Sequence, residues 1–408
     1  MLSACGRQGT PEAEFYVGSL QSQIETTDEG TLVTVQQGSV WGEAVELEIL
    51  THLGTGREEH DILVNPHAIA VDVAGQRLFV ADSRPVVQVR VYDFNGNFIN
   101  NIGGNGDGPG EYRQPTGVAF IAPQQRLIVY DIGKRALSYT ADGEYLTYTP
   151  LPRAERFPQR FVLVKNEWGY FDHTVSEGSL QNNSSFRRTR AFLGVNLTTA
   201  EIDTMLRPSG YGETVLLQSG TSPLPFGAWF VWAIGPDGST VAGYGDDYSF
   251  DIRKPDGTLV SVQMPGIETP VIDKEREWWT RRTEVALESD AAAWRRSGPP
   301  VPKTKPAFID FFIDSDGRIW ITRQGVGRKI PGGARGFDDR QEVLKNPCWY
   351  STLILDVFEN DGTYLGRIDL PKKWEFFQID YAEGDLVAAR ASGTDQEPFA
   401  FLYRLETP

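Results

Sequence analysis

A four-strand unit occurs twice in succession near the start of the chain, and it constrains the fold more than any other feature. The first copy runs Pro66-His67-Ala68-Ile69-Ala70-Val71-Asp72, turns at Ala74-Gly75, and continues as Arg77-Leu78-Phe79-Val80-Ala81-Asp82. Then come Val87-Gln88-Val89-Arg90-Val91-Tyr92-Asp93, an Asn95-Gly96 turn and Phe98-Ile99-Asn100-Asn101-Ile102. The second copy opens at Pro115-Thr116-Gly117-Val118-Ala119-Phe120 and passes through Arg126-Leu127-Ile128-Val129-Tyr130-Asp131. It closes with Ala136-Leu137-Ser138-Tyr139, an Asp142-Gly143 turn and Tyr145-Leu146-Thr147-Tyr148. Asn-Gly and Asp-Gly suit two-residue hairpin turns, because such turns need positive φ. The two opening prolines stand 49 residues apart, a period in the range of propeller blades.

Looser copies follow at 161–198, 228–264, 308–370 and 376–405. The last supplies three strands only. The run Val45-Glu46-Leu47-Glu48-Ile49-Leu50-Thr51-His52-Leu53-Gly54 has the character of an outer strand, and it can complete that blade from the other end of the chain. Closure by both ends removes the unpaired edge that an open sheet exposes. The expectation is an all-β, six-bladed β-propeller over 45–408, with 15–44 as an extension on or beside the ring. Seven blades is the alternative if strand-like runs within 15–44 join the ring.

The segment after the first copy reads Gly103-Gly104-Asn105-Gly106-Asp107-Gly108-Pro109-Gly110-Glu111-Tyr112. It carries no Lys-Ser/Thr ending and leads into a strand, so it is a blade-to-blade crossover and not a phosphate loop. With this signature and the two regular blades, the chain resembles six-bladed propellers of the NHL-repeat type, in particular the secreted and lipoprotein branch in bacteria. The resemblance implies a binding or catalytic role centred on the propeller channel or faces.

Acidic residues number 55 and basic residues 39, a net charge of -16. That surface repels phosphate backbones, so nucleic acid is not an expected partner. Two cysteines make no disulfide framework or metal motif. Cys348, in Pro-Cys-Trp-Tyr, reads as a buried thiol. Leu2-Ser3-Ala4-Cys5-Gly6 resembles a bacterial lipobox, although the basic and apolar regions that precede one are not in the sequence. On that resemblance Cys5 is a lipid attachment site, 1–14 is a tether, and the protein sits at the periplasmic or cell-surface side of a membrane. A disordered N-terminal tail is the competing reading.

Two insertions interrupt the later repeats. Residues 270–306 have helix-forming composition and end in Gly298-Pro299-Pro300, which predicts one helix of about six turns. Its Trp278, Trp279 and Trp294 need a partner surface, either the ring itself or another protein. Residues 323–348 form a glycine-rich loop with Arg323, Arg328, Lys329 and Arg335, a candidate dock for an acidic partner or a lipid headgroup. These seven residues are the candidate partner-binding set.

Catalytic groups are sparse. His67 opens an inner strand and is the best channel histidine, with Asp72 as a neighbouring carboxylate; its counterpart in the next copy is Thr116, a poor ligand. His52, His60 and His173 fall elsewhere, so a three-histidine zinc site does not assemble. A structural or channel-bound calcium has candidate oxygens in Asp72, Asp82, Asp93, Asp131, Asp310, Asp314, Asp316 and Asp380, most of which suit turns equally well. No Gly-x-Ser-x-Gly elbow occurs. The expected function is therefore a non-catalytic protein-binding scaffold at a membrane, such as an extrinsic subunit of an electron-transfer or photosynthetic complex. The alternatives are a metal-dependent hydrolase or lyase at His67, and a glycan or small-ligand binder using Trp168, Trp229 or Trp320.

Overall fold

The regular copies fold as their apolar pattern requires. The second strand of the first copy, Arg77–Asp82, is buried at every position after Arg77. Successive side chains of a strand point to opposite faces. Leu78 and Val80 accordingly pack with Ala388, Ala400 and Leu402 on one side. Phe79 and Ala81 pack with Leu127 and Val129 on the other. A strand clamped between two neighbouring sheets reads as a continuous apolar run, and each such side chain contributes about 1.5–3 kcal/mol on burial. The outer strand Phe98–Ile102 has one neighbour only and alternates between exposed and more buried residues.

The computed structural model describes residues 18–54, 56, 62–83, 86–131, 135–151, 161–165, 167–177, 187–203, 214–217, 220–287, 290–330, 348–393 and 398–408. Six sheets surround an axis. Blade 1 consists of Pro66–Asp72, Arg77–Asp82, Gln88–Asp93 and Phe98–Ile102, and blade 2 of Pro115–Ile121, Arg126–Asp131, Arg135–Thr140 and Tyr145–Pro150. Among the described residues blade 3 has three strands, Phe161–Val164, Trp168–Glu177 and Arg187–Asn196, with Ile202 bridged to the outer edge of the last. Blade 4 contributes Phe230–Ile234, Thr240–Tyr244, Ser249–Arg253 and Leu259–Gln263. Blade 5 is Asp310–Ile313, Ile319–Ile330, Cys348–Phe358 and Tyr364–Asp369. Blade 6 is Trp374–Glu383, Leu386–Gly393 and Pro398–Leu405, completed by Leu47–Leu53 running antiparallel to the last of these. Both ends of the chain thus close the ring, as the missing fourth strand required.

Residues 18–44 lie outside the ring and make no seventh blade. The hairpin Gln21–Thr27/Gly30–Gln37 adds to blade 4, with Gly30–Gln37 parallel to Leu259–Gln263. From there the chain follows the outer edge of blade 5, where Trp41 N–H donates to the Leu365 carbonyl (2.8 Å) and Val45 N–H to that of Arg367 (2.9 Å). Trp41 is buried against Gly366, whose missing side chain leaves room for the indole. Residues 18–53 therefore form a belt over the outer edges of blades 4, 5 and 6.

The 270–306 insertion is two helices, not one: α1 (Asp273–Leu287) and α2 (Ala291–Ser297). Asp273 and Glu275 favour the first turn of α1 through the helix dipole, and Asp273 pairs with Arg276 at 2.8 Å. Gly298, in an extended conformation and followed by Pro299 and Pro300, ends α2. Of the 323–348 insertion, 331–347 lie outside the described residues, and the two ends are strand. Its first residues continue the strand Ile319–Ile330, which pairs with Cys348–Phe358 well past the edge of the inner strand Asp310–Ile313.

The glycine-rich crossover is organised by one tyrosine. Gly103 (φ +68) and Gly110 (φ +72) adopt left-handed backbone and let the chain double back, so that Gly104–Asn105 pairs in parallel with Glu111–Tyr112. Tyr112 is fully buried. Its hydroxyl accepts from Val89 N–H (2.7 Å) and donates to the Ile102 carbonyl, bridging two strands of blade 1. Replacing Tyr112 by Phe leaves those backbone groups unpaired, at about 1–3 kcal/mol each. The expected result is a lower denaturation midpoint with an unchanged slope in a urea titration.

Candidate functional site

The inner strands of blades 1, 2, 3, 5 and 6 line an axial cavity of about 170 Å³. Its wall is mostly apolar: Ile69, Val71, Val118, Phe120, Phe161, Leu163, Phe312 and Ile379 all contribute. Because the strands of each blade alternate in direction, the start of an inner strand, the loop between second and third strands and the blade-to-blade crossover share one face. His67, at the start of Pro66–Asp72, lies towards that face and borders the cavity.

The polar centre of the cavity is an ion pair. Arg390 donates to both carboxylate oxygens of Asp380, from Nε at 2.6 Å and from Nη2 at 2.9 Å. The remaining valences are also used. Arg390 Nη2 donates to Gln378 (2.7 Å), Arg390 Nη1 to the Pro66 carbonyl (3.1 Å), and Ile69 N–H to Asp380 (3.1 Å). Blade 6 is thereby clamped to the inner strand of blade 1. His67 is half-buried, and burial holds its imidazole below the ordinary range; Arg390 acts in the same direction and Asp380 opposes. Thr116, the counterpart of His67 in blade 2, also borders the cavity and is 6% exposed. Its hydroxyl has no hydrogen-bond partner.

The candidate metal pair is not brought together. His67 and Asp72 stand five positions apart on one extended strand, about 16 Å along it, and only His67 borders the cavity. Asp72 is buried and bound to Arg77 (2.8 Å) and to Gly75 N–H (2.9 Å), which makes it a turn residue. The other carboxylates have structural partners too. Asp82 accepts from Val64 and Asn65 N–H, and Asp131 accepts from Arg113 and Gln114 N–H, one blade later in the same arrangement. Asp93 holds its own hairpin turn through Asn95 and Asn97. Asp314 binds Arg318 and Trp320, and Asp316 accepts from Gly384 N–H. Asp310 is partly buried on an inner strand. Among the described residues, no three His, Cys, Asp or Glu side chains are grouped to hold a metal. His52 stacks on Phe401 in blade 6, at 4.3 Å between ring centroids. His60 lies outside the described residues, and His173 is placed only as backbone in a strand.

The candidate partner-binding tryptophans turn inward. Trp278 is 4% and Trp294 7% exposed. Trp278 packs with Trp279, Trp349 and Tyr350, and Trp294 with Phe226, Leu287 and Val301. Arg282 lies over the Trp279 ring at 4.6 Å. The helices thus use their aromatics to dock on their own ring, because no other apolar stripe on them suffices. Arg323 is buried as well and pairs with Asp356 (3.2 Å), which also accepts from the Tyr248 and Tyr364 hydroxyls. Arg328 and Lys329 are exposed on the projecting ribbon. Arg335 and Cys5 lie outside the described residues. Trp320 is buried and bonded to Asp314, while Trp168 and Trp229 pack against core clusters, so none of the three forms a ligand platform.

A further buried ion pair was not apparent from sequence. Lys305, in the segment after α2, donates to Glu275 of α1 (2.9 Å), the Gly325 carbonyl (2.8 Å) and Ser351 (2.8 Å). Both charged side chains are fully buried. Burial pushes the Glu275 carboxyl up and the Lys305 ammonium down, against their mutual attraction. The pair staples the helical crossover to the ribbon.

Comparison with known proteins agrees with this architecture. A family model described as DUF5128, 6-bladed beta-propeller, matches residues 60–203. The chain is a six-bladed β-propeller. Among solved structures, a member of the DUF4221 family from Bacteroides vulgatus superposes on the propeller with a TM-score of 0.51 at 11% identity, covering 90% of this chain and 99% of that one. That likeness is one of fold. A streptogramin B lyase structure aligns at 10% identity over 89% of this propeller and 100% of the lyase, with a TM-score of 0.39, too low to bear on chemistry. No curated protein matches the propeller by sequence.

Two outcomes follow from these charges. Lys305→Met strands a buried carboxylate and is expected to cost about 3–5 kcal/mol in chemical denaturation, most of it recovered when Glu275→Leu is added. His67 protonates less readily in the native state, so the unfolded chain takes up that proton first as pH falls through its ordinary value of 6.5. The contribution of His67 to native stability therefore declines with acidification. The stability difference between wild type and His67→Gln, measured between about pH 7.5 and about pH 5.5, is expected to shift in favour of the variant at the acid end.

Proposed function

We propose that this propeller is a non-catalytic binding protein whose insertion-bearing face receives a protein partner. One observation carries the reading: the large departures from the repeat rise from the same face. The helical crossover between blades 4 and 5 and the ribbon of blade 5 both stand on the face where His67 lies. So does the extension of the blade 3 strands Trp168–Glu177 and Arg187–Asn196 beyond Phe161–Val164. The opposite face is closed by short hairpin turns. A wall over blades 3 to 5 beside lower blades makes a stepped surface, and the Lys305–Glu275 staple keeps it rigid, which favours recognition by lowering the entropy lost on docking.

The exposed groups on this face differ from those first expected. Exposed apolar side chains Val64, Ile309, Val326 and Phe376 surround the starts of the inner strands of blades 1, 5 and 6 and the ribbon. Arg328 and Lys329 add local positive charge to an acidic protein. This combination suits a partner segment with apolar anchors and acidic neighbours. The lipobox-like Leu2–Gly6 run supports a tether at the extracytoplasmic face of a membrane, and the NHL-like crossover is in keeping with a secreted binding propeller. A hydrolytic metal at His67 is disfavoured by the adjacent Arg390 charge and by the saturation of Asp380.

Photo-crosslinking in the cells that make the protein tests the reading. Probes at Val326 and Phe376 are expected to give one protein adduct of defined mass, and a probe at Leu146 on the outer strand of blade 2 none. Equal adducts from both regions, or none from either, would remove the docking face. Cys5→Ser is expected to shift the protein out of the membrane fraction.

A further inference from the structure

We propose that the axial cavity binds one small, uncharged, largely apolar molecule carrying a single hydroxyl or carbonyl group, about the size of a phenol. The volume sets the scale. About 170 Å³ is slightly more than the roughly 150 Å³ that admits one benzene ring in an apolar cavity. The wall sets the chemistry of the body: Phe120, Phe161, Phe312 and Leu163 offer aromatic and aliphatic faces.

The polar groups set the rest. The guanidinium of Arg390 and the carboxylate of Asp380 satisfy each other and the backbone of blade 1, so the cavity offers no free charge to an ionic ligand. An anion or ammonium entering it would lose its hydration without a counter-charge. The Tyr381 hydroxyl is engaged by Glu383, and Ser315 is exposed at the opposite end of the axis. That leaves the Thr116 hydroxyl, buried and unpartnered, and the His67 imidazole, which burial keeps neutral. Each of these offers a donor and an acceptor. Two such groups serve one hydroxyl or carbonyl; they are too few for the many hydroxyls of a sugar, whose remaining groups would be buried unpaired. The His67 end of the cavity lies at the same face as the proposed docking surface, and the binding tested below needs no partner there.

Fluorine NMR titration with 4-fluorophenol, 4-fluorobenzoate and 4-fluorobenzylammonium tests the proposal on the full chain. Saturable binding is expected for the phenol, with the two charged analogues at least about 10-fold weaker. Thr116→Val, which keeps shape and removes the hydroxyl, is expected to weaken phenol binding about 3- to 10-fold. Ala119→Phe, which fills the cavity from a position on its wall, is expected to abolish it. Thermal melting checks that both variants are folded, and a smaller filling residue, Ala119→Leu, replaces the Phe if that variant is not. Absence of saturable phenol binding overturns the proposal, and the cavity is then a hydrated void. Binding that survives both Thr116→Val and the cavity-filling variant, or tighter binding of the benzoate, overturns it equally.

Discussion

Everything in this molecule depends on joining the last blade to the first. Hydrogen bonds between Leu47–Leu53 and Pro398–Leu405 complete blade 6, and the Arg390–Asp380 pair then ties that blade to the inner strand of blade 1. A propeller blade cannot bury both faces alone. Each needs a neighbour on either side, so an open ring exposes two complete apolar faces. Placing the clamp at the axis is economical in geometry: the inner strands approach most closely there, and a single guanidinium reaches Asp380, Gln378 and the Pro66 carbonyl together.

The same device recurs in altered form around the ring. Asp356 gathers Arg323, Tyr248 and Tyr364 where blades 4 and 5 meet. Asp82 and Asp131 cap the loops that lead into the inner strands of blades 1 and 2. Carboxylates that might have served a metal instead hold the chain's turns and junctions. Asp72, Asp82, Asp314 and Asp356 are buried beside donors of their own, which is the condition for keeping a charge inside a protein.

The fold was legible wherever strands were sandwiched between neighbours. Blades 1 and 2 announced themselves through continuous apolar runs and Asn-Gly or Asp-Gly turns, and the short last copy correctly demanded a strand from the other end. The insertions were less legible. Three tryptophans on a helix show that a surface will be covered, but not which one; the ring covers Trp278 and Trp294 itself. A basic stretch looks alike whether it is loop or strand, and only pairing with Cys348–Phe358 buries Arg323 and exposes Arg328. The cavity was half visible. The repeat puts His67 and Thr116 at equivalent positions and both border the cavity, yet the Asp380–Arg390 pair lies in a hairpin whose register the sequence pattern leaves open.

The belt of residues 18–53 has a consequence for how the molecule is made. Leu53 pairs with Ala400, so the first strand of the ring to leave the ribosome is the last to find its place. Blades 1 to 5 assemble from local hairpins, while the belt and the final closure wait for nearly the whole chain. During synthesis the apolar edges of blade 6 and blade 1 stay uncovered, and a chain cut short at its C-terminus leaves them so permanently. Closure of the ring thus waits for residues 398–405, and products truncated before them are left with the exposed surface that chaperones and proteases recognise.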